Sequence, residues 1–382
     1  MSKFSCENTS FFTCARHVPN GVGSGIARDP RSGRSLKIDI HCHCNTPAAN
    51  KLVERLTPPV YRTQPNELTR SINRENARRE MPKHADVNLR LADMDRMGID
   101  VQAISTGPMQ YFYWTEPEVG RATSRLINDN LADIVAKHPD RFVALGTLPM
   151  QDSEMALAEL ERCMGELGMR GVELCTNVNG EELAAPRFEK LFARLEELGA
   201  VVFLHPFSYN ESERFNDYNF TNLIGHPLDS AIAVGHLIFG GTLERYPGLK
   251  IVIAHGGGYA PFYPGRFDHA FHARADGREH ISAPPSTYLS KLYFDTMVYN
   301  PRQVETLVRM WGSDHVVVGT DYPFDMGDKD PLGFVDTVKG LTEKDVEAIT
   351  GGNAARLLKL DEAWIARAMA RTGRMEDSPA SA

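Results

Sequence analysis

No stretch of this sequence holds the run of about 18 apolar residues that a membrane-spanning helix requires. Basic residues are outnumbered, 42 Lys and Arg against 50 Asp and Glu, leaving a formal charge of −8. Such a balance argues against non-specific attraction to nucleic acid or to an anionic membrane, and points to a small-molecule partner. The six cysteines, at positions 6, 14, 42, 44, 163 and 175, form no disulfide framework of the kind small secreted domains use. Residues 1–36 lack the apolar core of about 7 to 15 residues found in a secretory leader. Both observations lead us to expect a reduced, cytoplasmic setting. Low-complexity tracts are absent, and with 42% hydrophobic and 24% charged residues the composition is that of a globular protein.

What the chain does have is alternation. Short apolar runs at 37–44, 101–106, 142–148, 171–176, 201–206, 250–255, 292–298 and 316–321 read as strands. Between them, stretches such as 155–167 and 187–198 repeat their apolar residues every three or four positions, the period of an amphipathic helix. Alternating strands and helices suit an open doubly wound sheet or a closed barrel. No G-x-G-x-x-G follows the first strand, which weakens the dinucleotide-binding sheet. We therefore expect an α/β fold, a (β/α)8 TIM barrel over 37–360 with its active site at the C-terminal strand ends. Residues 45–82, rich in Pro and Arg, exceed an ordinary strand-to-helix loop and are expected to form a lid over the mouth. The segment 1–36 is expected to be an irregular extension, and 361–382 a helix end and frayed tail.

Polar residues gather at the strand ends. "KIDIHCHCN" sets Asp39, His41 and His43 two apart, so alternation should aim all three to one face and Cys42 and Cys44 to the other. His205, His255 and Asp321 end three further strands. A single strand-end histidine is ordinarily a hydrogen-bonded core residue, and His138, His236 and His315 are read that way. Five such residues converging on one mouth are different: three imidazoles and a carboxylate are ligands for an ion such as Zn²⁺, with one position left open. His41, His43, His205 and Asp321 are the candidate ligands, and His255 remains as a base beside the metal. Glycines 256–258 suit a loop that lets substrate approach the backbone. Glu173 lies early in its strand and is read as a structural buried polar group.

"DIHCH", "FLHP", "AHGGGYAPFYPGR" and "GTDYPF" resemble the amidohydrolase superfamily, in its branch typified by 2-amino-3-carboxymuconate 6-semialdehyde decarboxylase. The likeness continues through "MDRMGIDVQAISTGPMQYFYW", "RFVALGTLPMQ" and "LERYPGLKIVIAHGGG". It implies that His41, His43, His205 and Asp321 hold one Zn²⁺, with Mn²⁺ the alternative ion, and that His255 handles the metal-bound water. The implied activity is non-oxidative decarboxylation of a small unsaturated or aromatic carboxylate in aromatic catabolism, with no organic cofactor. A hydrolase or hydratase of the same superfamily acting on a ring-cleavage product is the alternative. Arginine suits substrate carboxylates because its planar fork binds them bidentately, which makes Arg70, Arg74, Arg266 and Arg274 candidates. In the family one such arginine precedes "REN", where Ser71 is the direct ungapped match here and Arg70 is displaced by one. A second reaches into a neighbouring subunit's site, the position of Arg274, which implies a homodimer. Phe207 stands in "HPF" where family decarboxylases can carry Trp, marking it as a substrate-binding position.

Overall fold

The computed structural model describes residues 35–58, 64–207 and 213–374. The extension expected at 1–36 falls almost wholly outside these residues, as does the end of the expected tail. Eight parallel strands form one sheet: β1 Ile38–Cys44, β2 Val101–Thr106, β3 Phe142–Gly146, β4 Gly171–Cys175, β5 Val201–His205, β6 Lys250–Ile253, β7 Tyr293–Asp295 and β8 Val316–Val317. Neighbours in sequence are neighbours in the sheet. The ring closes where β1 meets the chain beyond β8, through Ile40 N to Val318 O at 3.0 Å and His43 N to Tyr322 O at 2.7 Å. The barrel expected from alternation is therefore the fold observed.

Two layers of apolar packing hold it together. Val101, Ala103, Val143, Leu145, Val201, Phe203 and Val252 fill the barrel interior, while a larger cluster packs the outer faces of the strands against the helices. The helices are set by local chemistry: Pro117 and Pro301 open two of them, Asp152 and Asn66 cap others through their side chains, and Gly98 and Gly199 end two in left-handed turns. The expected tail includes a helix, Glu362–Arg374, whose Ala368 is fully buried and whose Trp364, Ile365 and Met369 pack on the barrel interior's lower cluster. Within 45–82 lie the helices Pro47–Val53 and Glu67–Glu80.

Strict alternation along β1 does not hold. Asp39 pairs with Gln102, but Cys42 pairs with Ile104, so β1 carries one residue more than β2 over this span. This bulge switches the strand's parity. Ile38 and Ile40 pack inward with Val101 and Ala103, yet Cys42 packs outward with the layer that holds Ile104. The Asp39 carboxylate therefore stays out of the imidazole cluster and meets His41 only through the backbone, its Oδ1 accepting from His41 N at 3.1 Å. Its Oδ1 accepts from Thr320 N at 3.1 Å and its Oδ2 from Gln102 Nε2 at 2.9 Å and Thr320 Oγ1 at 2.6 Å, tying β1 to the strand that closes the ring. Burial pushes this carboxyl up to about 6. Strands β6, β7 and β8 end sooner than their apolar runs suggest, because the chain leaves the ladder to present side chains. His255 and Asp321 lie beyond them with φ of 56° and 53°.

Candidate active site

At the C-terminal end of the barrel, ligand atoms of His41, His43, His205 and Asp321 all lie within 4.8 Å of one another, and all four residues are buried. Their orientation follows from what holds them. His41 Nδ1 sits 2.6 Å from Asp295 Oδ2 and His43 Nδ1 2.9 Å from Thr106 O. A carbonyl or a carboxylate can only accept, so both rings donate from Nδ1 and turn the lone pair of Nε2 inward. The two Nε2 atoms lie 3.3 and 3.2 Å from Asp321 Oδ1, and none of these three atoms, nor either nitrogen of His205, has a hydrogen-bond partner among the described residues.

Buried acceptors facing one another call for a cation, a need that a second proton on His41 meets in part and a metal ion would meet in full. Bonds of about 2.0–2.2 Å to one ion would separate adjacent ligand atoms by roughly 3 Å, as the 3.3 and 3.2 Å from the two Nε2 atoms to Asp321 Oδ1 are. Charge supports the same conclusion. Burial lowers the affinity of His41 for a proton, but the carboxylates of Asp321 and Asp295 outweigh it and lift its pKa to about 10. Burial and the neighbouring His43 and His41 hold His205 well below the usual imidazole range. Against burial, His41 and its fellow imidazoles keep Asp321 well below the usual carboxylate range. The cluster thus offers imidazole nitrogens and a carboxylate to a divalent ion, with one proton on His41 to displace. These residues fit a metal.

His255 completes the group. Its ring centroid is 5.3 Å from that of His41 and 5.0 Å from that of His205, and its Nε2 lies 3.8 Å from Asp321 Oδ2. Above these residues opens a cavity of about 510 Å³, which Phe207, Phe215 and Phe324 line with aromatic surface and His84 and His226 with imidazole. His226 stacks near His255, centroids 6.0 Å apart, and burial and that neighbour push its pKa down to about 3.

The arginines stand elsewhere. The cavity side of the helix Glu67–Glu80 consists of Thr69, Asn73, Asn76, Ala77 and Glu80. Arg70 and Arg74 do not line the cavity and instead pair with Glu67, at 3.0 and 2.9 Å. Helical period gives the cavity face of this helix to Thr69, Asn73, Asn76, Ala77 and Glu80, and Glu67 pairs with both guanidinium groups on the exposed face. Arg266 is also exposed, and Arg274 ends the helix Pro264–Ala273 exposed and paired with Asp276 at 2.7 Å, off this chain's own cavity.

Three residues at the site escaped the sequence reading. Asp295 ends β7 behind His41, and the only trace was a buried Asp in "LYFDTMV". Tyr111 donates to Glu173 Oε1 at 2.5 Å, and Glu173 Oε2 lies 3.7 Å from His43 Nδ1. Glu173 is fully buried, with its carboxyl pushed up by burial, and forms part of the support beneath His43. His226 opens the helix His226–Phe239, and "GHP" gave no sign that its ring faces the mouth.

Comparison with known proteins agrees with this geometry. The family model described as Amidohydrolase matches residues 38–360. The chain is 37% identical over 277 residues to 2-amino-3-carboxymuconate-6-semialdehyde decarboxylase of Dictyostelium discoideum, spanning 72% of this chain and 77% of that one. The solved 5-carboxyvanillate decarboxylase of Sphingomonas paucimobilis superposes with a TM-score of 0.74 at 25% identity, covering 86% of this chain and all of that one. That of Novosphingobium aromaticivorans, complexed with manganese and 4-hydroxy-3-methoxy-5-nitrobenzoic acid, also gives 0.74, at 22% identity, over 87% of this chain and 97% of that one. With its barrel, its inward-facing histidines and carboxylate, and this agreement across nearly the whole barrel, the chain belongs to the amidohydrolase family, in its branch of metal-dependent decarboxylases.

Proposed function

We propose that the protein removes CO₂ from a small unsaturated or aromatic carboxylic acid, a substrate similar to 2-amino-3-carboxymuconate semialdehyde, using one divalent metal ion per subunit. Zn²⁺ is the preferred ion from the imidazole-rich donor set, and Mn²⁺ is the alternative. The observation that carries this reading is the inward turn of His41 Nε2, His43 Nε2, His205 and Asp321 beside His255, at the floor of an aromatic-walled cavity.

When bound, the metal supplies a Lewis acid that neutralises and orients an oxygen of the substrate. The protein's own residues do the rest. Phe207, Phe215 and Phe324 accommodate a planar, apolar body and exclude water around it. As the bond from carbon to carboxylate breaks, its electron pair remains on the substrate carbon, and the His255 imidazole delivers the proton that this carbon takes up. Solvent then restores that proton to His255. Residues 45–82 act as a lid through the polar face of the helix Glu67–Glu80. Two subunits form the active unit, with Arg274 of each reaching toward the other's cavity.

The test is to incubate metal-loaded protein with a panel of muconate semialdehydes and hydroxybenzoates while following CO₂ and product mass. A product lighter by CO₂, formed in step with its release, supports the reading. A product heavier by one water, with no CO₂, replaces it with hydratase or hydrolase chemistry.

A further inference from the structure

Asp295 belongs to none of the roles assigned so far, yet it touches two of them. It is fully buried at the end of β7. Its Oδ2 accepts from His41 Nδ1 at 2.6 Å and from the backbone N of His255 at 3.1 Å. Its Oδ1 accepts from Gly256 N at 2.7 Å and from Met297 N at 3.1 Å. We propose that Asp295 is a positioning residue that couples the metal site to the proton-transfer site, one carboxylate setting both the tautomer of His41 and the turn that carries His255.

The argument rests on donor count and backbone conformation. Four N–H groups point at this side chain, and only a group with two accepting oxygens and no donor satisfies all of them. On one side, the bond from His41 keeps the proton on Nδ1 and frees Nε2 for the metal. On the other, the turn from His255 to Gly258 takes four successive positive φ values, 56°, 61°, 77° and 63°, and lies beyond the end of β6. It is closely packed as well: a Cβ at Gly256 would come within 2.3 Å of Val298 Cγ1, and one at Gly257 within 2.7 Å of the Phe294 ring. Asp295 gives two successive amides of that turn their acceptors, so the place of the His255 ring depends on the same carboxylate that orients His41.

Asp295→Asn tests this with little change of volume. Whichever way the amide faces, its NH₂ meets two N–H donors on one side. The variant is expected to bind Zn²⁺ about 10–100-fold more weakly, measured by competition with a chelator and without substrate. At saturating Zn²⁺ it should still turn over about tenfold or more slowly with little change in KM, because metal repairs only one of the two arms. In a His255→Ala background the same substitution should cost less than about twofold in residual turnover. Unchanged metal affinity, or an equal loss of turnover in both backgrounds, would overturn the coupling. The turnover arm rests on the decarboxylase reading, whereas the affinity arm does not, so the two failures are told apart. If the variant does not fold, NMR of the imidazole nitrogens in the unsubstituted protein loaded with Zn²⁺ decides: a proton on His41 Nδ1 with none on Nε2 supports the assignment, and an Nδ1 without a proton refutes it.

Discussion

Loading the metal-free protein with Zn²⁺ should release a proton well above the pH at which histidines ordinarily lose theirs. Asp321 and Asp295 hold the His41 proton until about pH 10, against 6.5 for an ordinary imidazole. The ion needs that nitrogen's lone pair, so metal and proton compete for it. At about pH 7.5 the gap to 10 is about 2.5 units, which at 1.36 kcal/mol per unit amounts to roughly 3 kcal/mol of binding energy spent on displacing the proton. Apparent affinity should therefore climb about tenfold per unit from about pH 7 to 9. The same proton also acts on the metal-free fold. Because the folded pKa is raised, its stabilisation is complete below about pH 6.5 and is lost as pH rises through about 10. Chelator competition at several pH values gives the slope, and calorimetry in buffers of different ionisation heat counts the protons. A flat affinity from about pH 7.5 to 8.5, with no proton released, would refute the reasoning.

His255→Ala should abolish most turnover while retaining metal, as elemental analysis and a substrate assay on one sample would show. Near-normal activity in the metallated variant would exclude the role. His41→Ala or Asp321→Ala should lose both metal and turnover, and full metal occupancy in either would remove that residue from the site. Arg70→Ala and Arg74→Ala should change kcat/KM and melting temperature little, since each forms only an exposed pair with Glu67. A loss above about tenfold would mean that the helix turns inward on substrate binding. Mixing inactive Arg274→Ala and His255→Ala proteins should restore some activity if Arg274 crosses between subunits, and confirmed exchange without recovery would count against a shared site.

The barrel was legible because strand and helix periods are local, and because polar residues interrupt the strand ends where chemistry gathers. The ligand cluster was legible for the same reason: H-x-H and two strand-ending histidines stand out against their apolar neighbours. What could not be read depends on pairing between distant segments. The bulge in β1 exists only relative to β2, so Asp39 read as sharing a face with the His41 and His43 rings, whereas its carboxylate accepts from His41 N, Gln102 and Thr320. The contacts of Asp295 span 254 residues back to His41. The inward face of the helix Glu67–Glu80 was set by how the insertion docks, and its own arginines gave the opposite impression.

His255 and Asp321 both sit in the left-handed region, where side chains other than glycine are disfavoured. Each such conformation costs on the order of 1–3 kcal/mol in the folded state. Selection or engineering for thermal stability alone would therefore find glycine attractive at the two positions that the proposed chemistry can least spare. A screen that scored only melting temperature would enrich inactive barrels, and one that scored only activity would leave this backbone strain in place. Stabilising the enzyme safely means working at the base of the barrel, around Trp364 and Ala368, far from the mouth.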